Sequence, residues 1–448
     1  AAMWPRTLLA LAAARLAGAA LSISAAAHYT CLLTPGGSGY CWGRSGQSMP
    51  GAVDAGLGSP VLSLSSGGTP NSEHACAISS AGGAYCWGAG SGGQLGYGGT
   101  QTKGFIAVSG LGANMVAVCA GLMHSCALDS SGAANCWGLN YHGQLGNGET
   151  TDRRSPTSVL LMGHILTGIS CGYTHTCGLT TTGGAVCWGD GSFGQIGFGS
   201  NTAFVKQAQA VNDLDSEVVG ISPGMYFSCA VTAAGGAYCF GTGTNGRLGH
   251  GSTAGSSSPV AVVGLNGTAA AITAGWDHAC GVSFAGLVYC WGKGSDGQLG
   301  NGDTADQYLP VPVTIPGGEH IVDISAGRSH TCAVTSSGRT YCWGLGGVGQ
   351  LGNGAFADST TPVEASIPGI TTLLATTTSV TSTTTVTSTT ATTTSVTSTT
   401  TVTSTTVTTT SVTSTTTVTS TTVTTTSVTS TTTVTSTTVR RGRGPAQR

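Results

Sequence analysis

Cysteines recur along this chain in pairs with one fixed spacing, and the pairs themselves repeat. Fourteen of the 16 cysteines form seven pairs whose members are ten positions apart: Cys31 and Cys41, Cys76 and Cys86, Cys126 and Cys136, Cys177 and Cys187, Cys229 and Cys239, Cys280 and Cys290, Cys332 and Cys342. Successive pairs begin 45 to 52 residues apart, and each encloses two short β-type runs around a glycine, as in HTCAVTSSGRTYCWG. With the runs between the pairs, each unit holds about four short strands. This pattern predicts an all-β chain folded as a seven-bladed β-propeller of about 50-residue repeats.

The spacing of ten also predicts how the two cysteines of a pair meet. It places them opposite each other across a three-residue hairpin loop whose third residue is glycine in all seven units: Gly37, Gly82, Gly132, Gly183, Gly235, Gly286 and Gly338. Counting outward from Gly338 puts Cys332 and Cys342 at a non-hydrogen-bonded site, within reach of a disulfide. We therefore predict a cross-strand disulfide in each blade, and the alternative is reduced thiols that fill the blade. Cys119 and Cys171 remain, either bonded across adjacent blades or free.

Three segments of the repeat carry a family resemblance: VCAGLMHSCAL at 118–128, CWG at 136–138 and GQLGNG at 143–148, with copies of the last at 94–98, 195–199, 298–302 and 350–354. They resemble the regulator of chromosome condensation propeller family over residues 21–375. The resemblance implies a seven-bladed propeller that binds partners through its loops. It implies no single activity, because members include a guanine-nucleotide exchange factor, a plant ultraviolet-B photoreceptor and parts of large ubiquitin ligases.

Charge and hydropathy argue against a nucleic-acid-binding surface and against a transmembrane segment. Charged residues make up 7% of the chain, against about 25% in typical proteins. The 15 lysines and arginines are scattered apart from a knot at 440–448, so we expect no nucleic-acid groove. No apolar run reaches the roughly 18 residues of a membrane-spanning helix, so we expect no transmembrane segment.

The two ends of the chain differ from the repeats. Residues 1–19 resemble a secretory signal peptide, with a frayed N-terminal segment as the alternative. Residues 20–375 form the predicted propeller, and 376–439 are four near-identical 16-residue copies of TTTSVTSTTTVTSTTV, followed by a short basic tail at 440–448. The Thr/Ser/Val-rich copies cannot build a core and read as a disordered or O-glycosylated stalk, or as a repeat expansion without a role. Either LSISA at 21–25 or ITTLLA at 370–375 closes the ring.

Histidines, tryptophans and glycine motifs recur once per blade, which favours structural roles for all three. Five G-x-G-x-x-G segments lack the following helix of a dinucleotide site, so we predict no cofactor. His74, His124, His175, His278 and His330 precede the first cysteine of their blades by two residues, and a ring of this size places them too far apart for one metal site. The tryptophan after the second cysteine should pack between blades. Only Gly275-Trp276-Asp277-His278 matches the photoreceptor pattern, which disfavours light sensing.

No catalytic constellation stands out, so we predict a non-enzymatic, monomeric scaffold that binds a protein or glycan partner through its loops. The most divergent segments are 44–59, 69–73, 152–154, 201–217 and 303–308. The disulfide framework and the N-terminal segment favour an extracellular or cell-surface location, and Asn266 is an N-glycosylation acceptor by sequence. The alternative is a cytoplasmic or nuclear regulator resembling the family's exchange factor for a small GTPase.

Overall fold

The computed structural model describes residues 21–43, 47–53, 59–215, 217–265, 267–367, 399–400 and 431–432. The chain divides into two units, 1–374 and 375–448. In the second unit the described residues are Thr399–Thr400 and Thr431–Thr432, which pair as two short parallel strands. The signal-like segment at 1–19, the acceptor Asn266, the candidate strand 370–375, most of the Thr-rich copies and the basic tail lie outside the described residues. The interpretations of these segments remain predictions.

The first unit consists of seven four-stranded antiparallel sheets, each with its strands in sequence order. Blades 1 to 3 contain β1 Ser22–Ala25, β2 Tyr29–Leu33, β3 Gly39–Gly43, β4 Gln47–Ala52; β5 Val61–Gly67, β6 His74–Ser79, β7 Ala84–Gly88, β8 Lys103–Ala107; β9 Met115–Ala120, β10 His124–Asp129, β11 Ala134–Gly138 and β12 Arg153–Ser158. Blades 4 and 5 contain β13 Leu166–Cys171, β14 His175–Thr180, β15 Ala185–Gly191, β16 Thr202–Ala210; β17 Val218–Pro223, β18 Phe227–Thr232, β19 Ala237–Gly241 and β20 Ser256–Ala261. Blades 6 and 7 contain β21 Ala269–Ala274, β22 His278–Ser283, β23 Val288–Gly292, β24 Gln307–Val313; β25 Ile321–Ala326, β26 His330–Thr335, β27 Thr340–Gly344 and β28 Ser359–Glu364. Single 3₁₀ turns lie at Thr244–Gly246 and Pro316–Gly318. The predicted seven-bladed, all-β architecture is confirmed.

The hairpin between the second and third strands has the predicted register. In blade 7, Val334 lies opposite Thr340 and Cys332 opposite Cys342. The loop glycine Gly338 has φ 88°, a left-handed conformation that a side chain disfavours, and its N–H donates to the Thr335 carbonyl at 2.9 Å. The other six loop glycines also have positive φ. The glycine spacing therefore fixes the register that brings the cysteines together.

The first strand of every blade runs along the axis of the ring. Its last residues, such as Cys171 and Ala326, line an axial cavity. A Cβ on Gly275 would lie 2.4 Å from the Gly327 carbonyl oxygen, and a Cβ on Gly327 would lie 2.2 Å from the Ala26 carbonyl oxygen, closer than real Cβ atoms approach. At six of the seven joints a glycine therefore meets the next blade at the axis, and blade 7 approaches blade 1 in the same way.

The ring closes on the N-terminal strand. Ser22–Ala25 is the first strand of blade 1 and pairs with β2. Blade 7 contacts it directly, because the Ile23 N–H donates to Asp323 Oδ2 at 2.9 Å and the Ala25 N–H donates to Ser325 Oγ at 2.9 Å. Of the two closing strands considered from the sequence, the one at 21–25 therefore occupies the innermost position of blade 1.

Tryptophans fill the space between blades, as predicted. Five of them are fully buried, and each indole Nε1 donates at 2.8–3.0 Å to a backbone carbonyl of the preceding blade: Trp42, Trp137, Trp188, Trp291 and Trp343. The acceptor is the glutamine of the GQLG turn, or Arg247 in blade 5, where GRLG replaces it. The turn after the third strand therefore serves as a docking point for the next blade.

Candidate functional site

All sixteen cysteines are bonded in the structure. Seven bonds join the second and third strands within a blade, with Cα atoms 4.0–4.1 Å apart and the partners that the spacing of ten predicts: Cys31 with Cys41, Cys76 with Cys86, Cys126 with Cys136, Cys177 with Cys187, Cys229 with Cys239, Cys280 with Cys290 and Cys332 with Cys342. In the structure, the two cysteines of each blade are therefore joined as a disulfide. The alternative, reduced thiols that fill the blade, is not what the structure has.

The eighth disulfide joins Cys119 to Cys171 and crosses from blade 3 to blade 4. Of the two alternatives left open for these cysteines, the structure has the bond across adjacent blades. Cys126 lies opposite Cys119 in the sheet, and the sulfur atoms of Cys119, Cys126 and Cys171 lie within 4.8 Å of one another. Between blades 3 and 4 the ring is therefore stapled covalently, beside a second disulfide.

The five histidines link neighbouring blades through hydroxyl groups. In each link a histidine Nε2 lies 2.8–2.9 Å from a hydroxyl oxygen of the next blade: His74–Ser125, His124–Thr176, His175–Ser228, His278–Thr331 and His330–Thr30. The Thr176 hydroxyl donates its single proton to the Gln144 carbonyl at 3.0 Å, so the His124 Nε2–H must be the donor in the other bond. These bonds agree with the structural role that the repeat predicts for the histidines.

Burial keeps these imidazoles neutral. Desolvation by burial lowers the pKa of His74 and His175 to about 4. The same cause lowers the pKa of His124, His278 and His330 to about 3. The neutral imidazole with its proton on Nε2 supplies the donor that each hydroxyl partner requires, and burial disfavours the protonated form because its charge would be desolvated.

Two of the seven joints between blades lack this bond. The joint from blade 5 to blade 6 has Phe227 instead of histidine and Ala279 instead of the hydroxyl residue. There the half-buried Asp277 pairs with the buried Arg247 at 2.8 Å, and the Arg247 guanidinium lies 5.7 Å from the Phe227 ring centroid. The loss of one polar link coincides with the gain of another.

The joint from blade 1 to blade 2 is the second exception. It has Tyr29 at the histidine position and Ala75 at the hydroxyl position. The sequence of blade 1, between Trp42 and the start of blade 2, contains no GQLG motif. Trp87, the equivalent of the buried tryptophans, is only half-buried. It is hydrogen-bonded to the Tyr29 side chain, and its ring lies 4.6 Å from the Phe105 ring with the two planes tilted by 51°.

The divergent segments predicted to contact a partner do not form one surface. Segments 69–73, 152–154 and 303–308 lie on the face that carries the loops after first and third strands, which we call the mouth face. Segment 201–217 includes β16 and continues to the opposite face, and parts of 44–59 lie outside the described residues. Asp152 accepts the Asn140 N–H at 2.8 Å, so part of this divergence serves local turns.

An aromatic strip crosses the mouth face, and we call it the mouth strip: Tyr173, Phe193, Tyr226, Trp276 and Arg328. Ring centroids lie 4.9 Å apart for Phe193 and Tyr226, 5.9 Å for Tyr226 and Tyr173, and 5.3 Å for Tyr173 and Trp276. The Arg328 guanidinium lies 4.6 Å above the Trp276 ring. Phe193 is 48% exposed, and the other four are half-buried. The strip therefore presents a continuous aromatic surface from the blade 4 turn toward the axis, where it ends at the Arg328 cation.

Burial, followed by the neighbouring Tyr173, Asp190 and Asp277, raises the pKa of Tyr226. Its phenol therefore stays neutral and able to donate a hydrogen bond at physiological pH.

Sequence reasoning missed most of this strip. Tyr173, Trp276 and Arg328 occupy the position after the axial glycine, where the other blades have Ala27, Gly68, Leu122 and Met225. That position varies within an otherwise regular repeat, and this is the signal that could have found it. Trp276 belongs to the one segment that matches the photoreceptor pattern, and in the structure its ring contacts Tyr173 and Arg328.

The seven four-stranded blades and their cysteine pairs together define a disulfide-bonded, seven-bladed β-propeller. Two models of the regulator of chromosome condensation (RCC1) repeat match the chain, one at 131–179, 234–282, 285–334 and 337–376, the other at 115–144, 167–195, 269–298 and 321–350. The chain belongs to this family.

Among the described residues, no helix has the length and apolar character needed to cross a membrane.

Relatives and solved structures agree with the fold. The chain is 34% identical to the ultraviolet-B receptor UVR8 of Arabidopsis thaliana over 217 residues, which are 48% of this chain and 49% of the receptor. It is 34% identical to the human E3 ubiquitin-protein ligase HERC2 over 191 residues, 42% of this chain and 4% of the ligase. The chain thus spans half or less of these relatives.

Human WBSCR16 superposes with TM-score 0.61 at 21% identity, over 70% of this chain and 86% of that one. Yeast RCC1 (Prp20), solved bound to Kap60, superposes with TM-score 0.61 at 19% identity, over 72% of this chain and 78% of that one. At this identity the structures show the shared fold alone.

Proposed function

We propose that the propeller is an extracellular protein-binding module whose partner docks on the mouth face. The observation that carries the proposal is the mouth strip, four aromatic rings in an unbroken series of contacts that ends in an arginine. Tyrosine, tryptophan and arginine are the residues most enriched at energetic hot spots of protein interfaces. In a chain with 7% charged residues, such a strip is a surface for apolar docking.

The opposite face offers a weaker candidate surface. Its exposed apolar side chains include Met162 and Ile165 after blade 3, and Phe284 and Leu287 in the blade 6 hairpin. These lie in two separate groups, whereas the rings of the mouth strip touch in sequence. Scattered exposed apolar residues are ordinary on protein surfaces, and a contiguous patch indicates an interaction site.

The extracellular part of the proposal rests on the cysteines. Eight disulfides in one chain suit an oxidising compartment, and cytosolic chains rarely keep such a set. Alkylation of the protein from its native source, with and without reductant, followed by mass spectrometry, tests this. We expect all sixteen cysteines to resist alkylation until reduction. Immediate alkylation of most of them would instead favour the GTPase-regulator hypothesis in the cytoplasm or nucleus.

The docking surface is tested with a matched pair of double variants. Phe193→Ala/Tyr226→Ala removes the outer half of the mouth strip, and Phe284→Ala/Leu287→Ala removes a similar apolar area from the opposite face. Partners captured by the wild-type chain under crosslinking should be lost with the first variant and kept with the second. The reverse result would move the interface to the opposite face. Capture of a glycan, without a protein, would support the glycan hypothesis instead.

A further inference from the structure

Arg328 differs from Arg247, which lies on the same face, in how its guanidinium is satisfied. Arg247 pairs with Asp277 and donates to two backbone carbonyls, of Thr244 at 2.9 Å and Trp276 at 3.2 Å. Among the described residues, the Arg328 guanidinium has neither a carboxylate partner nor a hydrogen-bond acceptor, and it lies over the Trp276 ring as a cation–π pair. Its N–H donors are therefore available to a ligand.

The geometry around Arg328 selects the kind of group that completes it. The Arg328 guanidinium carbon lies 4.6 Å from the centroid of the Trp276 ring, so the indole covers one side of the cation and leaves N–H groups for a ligand. A guanidinium matches the two oxygens of a carboxylate through parallel N–H···O bonds. Arg328 also lines the axial cavity, together with Tyr173 and Trp276, so the group would approach from the mouth face.

The size of the cavity limits what can enter. It measures about 90 Å³, whereas pockets for free-standing small molecules usually exceed about 300 Å³. A single side chain fits this scale better than a whole metabolite or a sugar ring. Around the opening, Tyr173 and Trp276 supply apolar surface for the methylene groups and the backbone that carry such a side chain.

We propose that the axial cavity, at its opening on the mouth face, receives an acidic side chain of a protein partner. Arg328 pairs with the carboxylate of that side chain, and Tyr173 and Trp276 pack on its methylene groups. This proposal rests on the proposed function and adds to it the chemistry of the inserted group. The net charge of the whole chain is −2, so recognition is local to Arg328 and does not come from a general basic field.

The test uses two peptides that differ in charge alone, acetyl-Gly-Glu-Gly-amide and acetyl-Gly-Gln-Gly-amide. The full-length chain carries ¹⁵N-labelled arginine, and the Arg328 side-chain resonance is assigned from its loss in Arg328→Gln. We expect the glutamate peptide to shift this resonance saturably and the glutamine peptide to bind at least about tenfold more weakly. Binding should weaken with salt, since one ion pair contributes to it.

Three variants separate charge, geometry and folding. For them, binding is read from the peptide's own proton resonances. Arg328→Gln should abolish glutamate binding, and Arg328→Lys should keep part of it, because lysine retains the charge but not the planar fork. Arg154→Gln removes an exposed arginine from β12 and should leave binding unchanged. Unchanged melting temperatures in all three exclude misfolding as the cause.

Two outcomes would overturn the proposal. Equal binding of the two peptides, or equal loss in Arg154→Gln and Arg328→Gln, would show that Arg328 does not read the carboxylate. Saturation by N-acetylneuraminic acid without binding of the glutamate peptide would transfer the site to an acidic glycan. If the captured partner is lost with Phe193→Ala/Tyr226→Ala yet kept with Arg328→Gln, the proposed function stands and this inference fails.

Discussion

The seven joints between blades are of two kinds, and the contrast shows how a repeat stays consistent. Five joints carry a buried histidine on one blade and a hydroxyl group on the next, at 2.8–2.9 Å. The other two have Phe227 facing Ala279 and Tyr29 facing Ala75. The hydroxyl residue is present wherever a histidine precedes it and absent wherever the histidine is absent.

This coupled replacement has a simple physical cause. A histidine without its hydroxyl partner would bury an unsatisfied N–H, which costs about 1–3 kcal/mol. Removing both members leaves an apolar contact of similar volume, which can be nearly neutral. The unit that repeats is therefore the joint, one residue from each of two blades, rather than the blade alone.

The largest expected effect is a loss of folding stability in acid, which comes from the five joints that contain a buried histidine. A histidine whose pKa is lowered in the folded state binds fewer protons there than in the unfolded chain, so its contribution to stability is intact above pH 6.5 and is lost as pH falls toward 4. Each such proton contributes about 1.4 kcal/mol per pH unit. With five buried histidines, the free energy of unfolding should fall steeply between about pH 6.5 and 5, before most carboxylates of the unfolded chain titrate.

Urea unfolding with disulfides intact, repeated at several pH values, measures this slope. The double variant His124→Phe/Thr176→Ala copies the natural apolar joint and should reduce the proton uptake on unfolding by about one. A stability that stays flat from pH 6.5 to 5 would contradict the neutral, buried state of the ring.

The next effect concerns the joint between blades 3 and 4, which combines a histidine link with a covalent bond. Replacing both cysteines, Cys119→Ala/Cys171→Ala, removes the closure of a 52-residue span and should lower the free energy of unfolding by up to about 4 kcal/mol in the chain-entropy model. Both must be replaced together, because a single free thiol would lie within 4.8 Å of Cys126 and could exchange with its disulfide.

Denaturant midpoints of wild type and double variant give the difference, and intact mass confirms seven remaining disulfides. Under limited reduction of the wild type, we expect the bond between Cys119 and Cys171 to open first, since Cys171 is half-buried beside the channel and the intrablade sulfurs are almost fully buried. Earlier opening of any intrablade bond would show that access does not control reduction here.

A smaller effect tests how the blade 5 to blade 6 joint replaces its missing histidine. Arg247→Met leaves Asp277 without its ion-pair partner, and we expect a loss of about 3 kcal/mol, the low end for a broken buried pair because Asp277 is 29% exposed. Arg247→Gln is the matched control, since the glutamine at this position of other blades accepts a backbone N–H, as Gln195 does from Phe193 at 2.9 Å.

Arg247→Gln should therefore cost less than Arg247→Met in thermal or urea unfolding. Equal costs for the two variants would show that the turn bond contributes nothing, and no cost for either would show that the joint does not depend on the Asp277 pair.

The sequence was sufficient for the fold because its signals repeat in register. The cysteine spacing and a glycine such as Gly338 fix each hairpin, and seven copies of one signal leave little room for another topology. The histidine links could also have been found, since comparing His175 and Ser228 with Phe227 and Ala279 exposes the coupling. The mouth strip could not, because its residues occupy variable positions of separate blades, and only the closed ring brings Tyr173 to Trp276.

The smallest expected effect measures one link by itself. His175→Phe removes the donor to Ser228, and Ser228→Ala leaves the His175 N–H buried without an acceptor, so each single variant should be destabilised. The double variant recreates the Phe–Ala pair of the blade 5 to blade 6 joint and should cost less than the sum by about 1 kcal/mol. Urea unfolding of the four proteins above pH 7, where the histidine is neutral in both states, gives this coupling. Additive costs would mean that histidine and hydroxyl stabilise their blades separately, and the paired pattern in the sequence would then need a cause other than the hydrogen bond.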